Sequence, residues 1–218
     1  LPTRTKDRFA DVSPYYGGDA VWFDNQGNGT LCTDSFAYKG KASGDEFTLT
    51  AGHCGGSTMD TNINSPREIG GLGTRYFTDG GYDVESFHCN GCQGTVWWQD
   101  SNTHDIIGTL NAGVGELVTL DGAASEEVPG NLVQKYDICV KFADDNKTTC
   151  HLSQTFQSGV TACQPGDSGG PAYQRISGTS DVYAVGVIVG EGDALGQTCY
   201  YNDIGDVLTL VNGNIVTH

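Results

Sequence analysis

Short runs of β-branched and aromatic residues, each cut off by Gly, Asn or Asp, recur along nearly the whole chain and demand a fold built from strands. A first series covers 20–23, 35–38, 46–50, 74–78, 83–87 and 94–98. A second covers 115–120, 131–142, 150–156, 171–175, 182–189 and 198–202. Only 203–211 reads as a helix, because Ile204, Val207, Leu208 and Val211 recur at helical spacing and Asp203 stands where a cap is needed. No Gly-Ser tract or repeat separates the two series, so they suit two small β-barrels packed together, one all-β unit rather than beads on a flexible string. The linker is placed near 99–113, giving an N-terminal lobe over 1–105 and a C-terminal lobe, with the helix, over 106–218. Residues 1–18 are polar, end in Pro14-Tyr15-Tyr16-Gly17-Gly18, and read as an irregular arm leading into the first strand.

Charge and cysteine content narrow the setting. The formal charge is −16, so nucleic acid and anionic membrane surfaces are not expected partners. A solvated acidic surface accounts for that charge; adaptation to acidic or saline surroundings is the other reading. No window of about twenty apolar residues is present to span a bilayer. The eight cysteines are scattered at 32, 54, 89, 92, 139, 150, 163 and 199. Only Cys89-Asn90-Gly91-Cys92 has a metal-like spacing, and no second such pair completes a tetrahedral zinc site. Disulfides are the better reading, and they place the chain outside the cytosol. The sequons at Asn28 and Asn146 are compatible with glycosylation of a secreted protein. With no signal peptide at Leu1, any targeting segment is taken to have been removed. No metal or cofactor is expected: at Asp144-Asp145-Asn146 a solvated hairpin tip is favoured over a calcium site.

The chemistry concentrates in two stretches. Residues 163–172 read Cys-Gln-Pro-Gly-Asp-Ser-Gly-Gly-Pro-Ala, and Thr50-Ala51-Gly52-His53-Cys54 lies far upstream. A serine flanked by glycines sits readily on a tight turn, its hydroxyl exposed and backbone N–H groups aimed at an incoming carbonyl oxygen. That hydroxyl is a weak nucleophile until a base takes its proton, and imidazole is the side chain suited to the task near neutrality. A carboxylate must then hold the imidazole in the right tautomer. Asp83, in Gly80-Gly81-Tyr82-Asp83-Val84 at the opening of an alternating run, is the preferred third member. Asp79 and Asp60 also lie between His53 and Ser168 in chain order.

Together these motifs resemble the chymotrypsin-like serine proteases, most closely their secreted microbial branch of the streptogrisin and α-lytic protease type. The resemblance spans most of 15–211 and implies two six-stranded antiparallel β-barrels with the active site in the cleft between them. It implies His53, Asp83 and Ser168 as the catalytic triad, with the N–H groups of Gly166 and Ser168 as the oxyanion hole. Glycine at 166 is expected because a side chain there obstructs the substrate. The resemblance pairs Cys32 with Cys54 beside the histidine and Cys163 with Cys199 around the specificity pocket. Cys139 and Cys150 would clip a hairpin with its tip at 143–147. That leaves Cys89 with Cys92, for which the family offers no counterpart. In the pocket, Ala162 is expected at the floor and Ile188 on the wall, with Val189, Gly190 and Glu191 along the side. Apolar floor and wall favour a neutral residue before the scissile bond, while Glu191 repels acidic side chains or draws basic ones.

Three departures from the family stand out. The first eighteen residues do not look like an activation terminus whose amino group would meet Asp167. The stretch 115–121, where microbial relatives carry an arginine for that aspartate, has none, which leaves Asp167 without an assigned partner. Val189 stands where a serine hydroxyl usually meets the triad aspartate. The expected protein is a secreted, monomeric serine endopeptidase acting on proteins or peptides and open to proteinaceous inhibitors. A catalytically silent homologue that binds protein, or an esterase using the same triad, are the competing readings.

Overall fold

The computed structural model describes residues 7–23, 31–61, 67–99 and 102–218. Its strands in chain order are β1 (Tyr15–Gly17), β2 (Ala20–Phe23), β3 (Cys32–Thr33), β4 (Ala37–Gly40), β5 (Glu46–Thr50), β6 (Thr58–Thr61), β7 (Arg67–Phe77), β8 (Asp83–His88) and β9 (Cys92–Trp98). There follow β10 (Asn102–Thr109), β11 (Leu117–Gly122), β12 (Glu126–Lys141), β13 (Thr148–Phe156), β14 (Pro171–Arg175), β15 (Asp181–Glu191), β16 (Thr198–Asp203), the helix α1 (Ile204–Leu210) and β17 (Gly213–Ile215). Two curled sheets result. One runs β17-β4-β5-β8-β7-β6-β2-β3. The other runs β1-β9-β10-β15-β14-β11-β12-β13-β16, and its extra β15–β16 pairing closes β11 to β16 into a six-stranded ring.

The strand β15 explains why the C-terminal half closes. Its run Val185-Gly186-Val187-Ile188-Val189 is buried throughout, as expected of a strand covered on both faces. Val182, Ala184 and Val187 enter a core shared with Leu49 and Val84 from the other sheet, with Phe36 from the segment before β4 and with Val96 on β9. Val185 and Ile188 face the interior of the ring, with Val118, Leu120, Ala162 and Tyr201. A bulge at Val185, where Ala172 and Tyr173 pair with Gly186 and Ala184, shifts the alternation by one residue and lets both cores be served. A third core, around Val21, Phe23, Met59, Ile69 and Phe87, includes Cys32, Cys89 and Cys92.

The structure contains four disulfides, Cys32–Cys54, Cys89–Cys92, Cys139–Cys150 and Cys163–Cys199, and no free cysteine. Cys139–Cys150 ties the β12–β13 hairpin, closed at its tip by Phe142 N–H donating to the Lys147 carbonyl at 3.0 Å. Asn146 is exposed on that tip with a φ of 58°, whereas Asn28 lies outside the described residues. Among the described residues, no helix is long and apolar enough to cross a membrane.

Two expectations change. The stretch read as a linker contains β10, which pairs antiparallel with β9 and parallel with β15, and the 105/106 division lies inside it. Its alternation is hidden in the sequence because one of its two buried positions is His104, the other being Ile106. That histidine is tolerated inside because Nδ1 meets the Ser180 carbonyl at 2.8 Å and Nε2 meets Glu127 at 3.3 Å. Asp203 stands at the N-cap of α1, but its side chain makes no cap bond. It accepts the Ser153 hydroxyl at 2.6 Å instead, and burial pushes its carboxyl up to about 6. The apolar face of the helix is as expected, with Ile204 and Val207 buried and Leu208 and Val211 packed beside them.

Candidate active site

His53 sits in the turn that follows β5, and that turn is fastened from three sides. Cys54 is bonded to Cys32 on β3. Arg75 Nε on β7 donates to the Gly52 carbonyl at 2.6 Å and lies 3.3 Å from Glu85 Oε2. Glu85, on β8, accepts the Gly55 N–H at 2.9 Å. Burial pushes the Glu85 carboxyl up to about 8, with the Arg75 guanidinium pulling it the other way.

Asp83 opens β8 next to this turn and takes two hydrogen bonds from one residue. The His53 backbone N–H donates to Oδ1 at 2.7 Å, and His53 Nδ1 lies 2.8 Å from Oδ2. Its own N–H donates to Asn202 Oδ1 at 3.1 Å, and the Asn202 amide is anchored on the carbonyls of Cys150 and His151. A residue of the C-terminal ring thus braces the aspartate of the N-terminal sheet. Asp79 is placed elsewhere: its carboxylate accepts the Thr148 N–H at 2.7 Å on the surface. Asp60 belongs to β6. Burial lowers the affinity of His53 for a proton, but the hydrogen bond and charge of Asp83, then Asp145 and Glu85, more than reverse this and leave its pKa raised.

Ser168 lies on the turn between Cys163 and β14. Gly166 has a φ of 108° and Gly169 a φ of 91°, conformations that L side chains resist. The reason for glycine at 166 is therefore local as well: a Cβ there would press on Ala124 and Leu31 at 3.1 Å. The turn is tied by Gly169 N–H to the Ile188 carbonyl at 2.7 Å, by Thr33 N–H to the Ser168 carbonyl at 2.8 Å and by the Thr33 hydroxyl to the Gly166 carbonyl at 2.7 Å. Among the described residues, the N–H groups of Gly166 and Ser168 have no protein acceptor. The Ser168 hydroxyl donates to the Val189 carbonyl at 3.3 Å. So the position that lacks a serine hydroxyl still touches the site through its backbone.

Asp167 has partners that no side-chain pattern announces. Its Oδ1 accepts the N–H groups of Ala124 and Ser125, both at 2.9 Å, and Oδ2 accepts that of Gln164 at 2.8 Å. Three backbone amides stand where an arginine or an amino terminus was sought.

His53, Asp83, Gly166 and Ser168 line one cleft of about 620 Å³. Val189, Gly190 and Glu191 line it too, whereas Ala162 and Ile188 are buried in the interior of the C-terminal ring. The expected apolar floor and wall therefore face the barrel core. What sequence reasoning missed are Leu31, Phe77, Phe142 and Tyr200 on the cleft wall, and the carboxylates of Asp144, Asp145 and Asp193 joining Glu191. Burial, then the charges of Asp144 and Asp193, raise the pKa of Glu191. Among the described residues, the lysine on the lining is Lys141; Lys147 lies 3.5 Å over the Phe77 ring.

This architecture is the chymotrypsin-like double barrel. Among solved structures it is similar to Thermobifida fusca protease A, at 24% identity over 93% of this chain and 98% of that one, with a TM-score of 0.71. It is also similar to Nocardiopsis protease, at 24% identity over 93% and 98% and a TM-score of 0.72. A third is a glutamic acid-specific serine protease described as using a histidine triad in substrate binding, at 20% identity over 92% and 100% and a TM-score of 0.74. No protein-family model and no curated protein matches the chain.

Proposed function

We propose that this protein is a secreted serine endopeptidase, with Ser168 as nucleophile, His53 as general base and acid, and Asp83 as the carboxylate that orients the imidazole. The observation that carries this reading is the pair of hydrogen bonds from His53 to Asp83 in a cleft that also holds Ser168. With Nδ1 donating to Asp83, Nε2 is left as the basic nitrogen that takes the serine proton and later delivers it to the leaving amine. The unengaged N–H groups of Gly166 and Ser168 suit the tetrahedral oxyanion, and each such donor is worth about 3 kcal/mol of barrier. The neighbours' names support peptidase chemistry, and four disulfides support an oxidising, extracellular setting.

A fluorophosphonate probe separates this reading from its rivals. We expect stoichiometric labelling at Ser168 together with digestion of casein. Labelling without digestion would point to an esterase or a narrow substrate, and no labelling would point to a silent protein-binding homologue. The sign of the pH dependence follows from His53. Its pKa is raised above 6.5, and only the neutral ring serves as base, so the labelling rate should climb with pH through a midpoint above that value. A rate maximum in the acid range would contradict a histidine-activated serine.

Cleavage should disfavour an acidic residue before the scissile bond. Glu191, Asp144, Asp145 and Asp193 outnumber Lys141 and give the cleft a negative field, which a glutamate side chain would enter against repulsion. Among the described residues lining the cleft, His53 is the one histidine, which leaves no counterpart to a substrate-binding histidine triad. Val189, Phe142 and Tyr200 favour neutral side chains, while the carboxylates draw in basic ones. Profiling of a peptide library should return cuts after neutral or basic residues, and a majority after Glu or Asp would refute this.

A further inference from the structure

Arg8 belongs to the N-terminal arm and has no solvent-exposed surface. Its Nη1 donates to the Gly122 carbonyl at 2.7 Å, and its Nη2 lies 2.9 and 3.2 Å from the two oxygens of Asp121. Both acceptors are the closing residues of β11. The next three residues of the chain turn straight to the nucleophile loop. Ala123 N–H donates to the Thr33 hydroxyl at 2.9 Å, and that hydroxyl donates on to the Gly166 carbonyl. Ala124 and Ser125 give their N–H groups to Asp167. Packing is equally direct, since a Cβ on Gly122 would collide with the Asp167 side chain and one on Gly170 with the Asp121 carbonyl.

Building on the serine endopeptidase reading, we propose that Arg8 is a positioning residue for the nucleophile loop: by holding the end of β11, it sets the backbone amides that anchor Asp167 and so aims the N–H groups of Gly166 and Ser168. A guanidinium without exposed surface is costly to bury, and its Nε finds no acceptor among the described residues. A buried ion pair is a poor source of net stability, since an apolar replacement is often as good. What Arg8 supplies that an apolar side chain does not is direction, with one donor fixing the Gly122 carbonyl and another fixing the Asp121 carboxylate. Because Asp167 is held by amides rather than by a cation, the carboxylate keeps its place only while those amides keep theirs. The arm, remote in sequence from both motifs, is then a working part of the active site.

The test uses the whole chain carrying Arg8→Met or Arg8→Lys, with wild type alongside. Readouts are kcat, KM, the affinity of a peptide aldehyde and the near-ultraviolet circular dichroism. The aldehyde adduct places an oxyanion in the hole, whereas ground-state binding in the cleft does not need it. Arg8→Met should lower kcat by roughly 30-fold and weaken the aldehyde by a similar factor while KM stays within about twofold, a partial loss of oxyanion stabilisation. Arg8→Lys keeps the charge but offers a point donor in place of the fork, and should fall in between. A folded Arg8→Met protein with wild-type kcat, or a loss confined to KM, overturns the proposal. Should Arg8→Met not fold, wild-type kcat in Arg8→Lys overturns it equally, and a fall in both kcat and aldehyde affinity sustains it. Wild type that fails to label with the fluorophosphonate sinks the endopeptidase reading itself, whereas wild type that labels beside indifferent Arg8 variants sinks this inference alone.

Discussion

Ser168→Ala should lower kcat for peptide hydrolysis by about 10⁶-fold, since a triad acts as a unit and loses nearly everything with its nucleophile. The fold should be indifferent to the change. The lost hydroxyl makes one hydrogen bond, to the Val189 carbonyl at 3.3 Å, a contact worth about 1 kcal/mol at most. The Ser168 carbonyl keeps its bond from Thr33 N–H, and the flanking glycines keep the turn. Substrate binding should also survive, because the cleft wall is untouched. The decisive measurement is single-turnover cleavage of a peptide amide, with thermal unfolding followed on the same sample. Activity retained above about one per cent of wild type would mean that another group attacks the carbonyl, and the triad reading would fall. His53→Ala should behave alike in kcat.

The parts of the site that were legible in the sequence are those in which a side chain itself would do the proposed chemistry. A serine among glycines and a histidine beside a cysteine carry their function in residue identity. The architecture was legible for a similar reason: β-branched runs between turn residues specify strands without knowledge of their partners. What stayed hidden is carried by backbone or by tolerated polarity. Asp167 is satisfied by three amides, and an amide has no signature in a sequence. The strand β10 was read as a linker because His104 occupies an inward position made acceptable by a carbonyl and a carboxylate. The expectation of Ala162 at the pocket floor could not reveal that it faces the ring interior. Thr33 and Asn202 brace the Ser168 turn and Asp83 from strands of the opposite sheets, contacts that arise only once the halves are packed.

The arm shows how such hidden contacts alter a physical account. Buried carboxyls lie in the arm and in the segments packed around it, and the formal charge of −16 counts all of them as ionised. Burial drives Asp19 and Asp34 well above the usual carboxylate range, with Asp11 adding to the effect. Asp121, raised by burial to about 7, differs in having Arg8 against it. Ionised, it is matched by the guanidinium, and the strand end it closes is the one that reaches Asp167. The acidic composition thus divides into a solvated surface, buried carboxyls raised by their burial, and carboxylates with a cationic or imidazole partner, of which Asp121 stands next to the Ser168 turn.

Asp83→Asn should lower kcat by about 10⁴-fold, and Asp79→Asn should change it little. In the wild type both acceptors of Asp83 face N–H groups of a single residue, the backbone N–H and Nδ1 of His53. An asparagine in the same place has one oxygen and one NH₂. If the oxygen stays on the backbone N–H, the NH₂ faces Nδ1 and can only donate to it. The imidazole must then carry its proton on Nε2, the nitrogen that has to accept the proton of Ser168. Geometry survives while the tautomer is wrong, which is why the loss is large although the variant folds. Flipping the amide does not help, because the NH₂ would then oppose the backbone N–H and leave a buried donor unpaired. Activity in Asp83→Asn should recover in part at high pH, where hydroxide substitutes for the missing base. Asp79 lacks any such role, since it accepts the Thr148 N–H on the surface and an asparagine oxygen does that as well. Steady-state kinetics on the two variants, each checked for fold by circular dichroism, gives the answer directly. A crippled Asp79→Asn beside an active Asp83→Asn would transfer the third catalytic role to Asp79 and overturn the assignment.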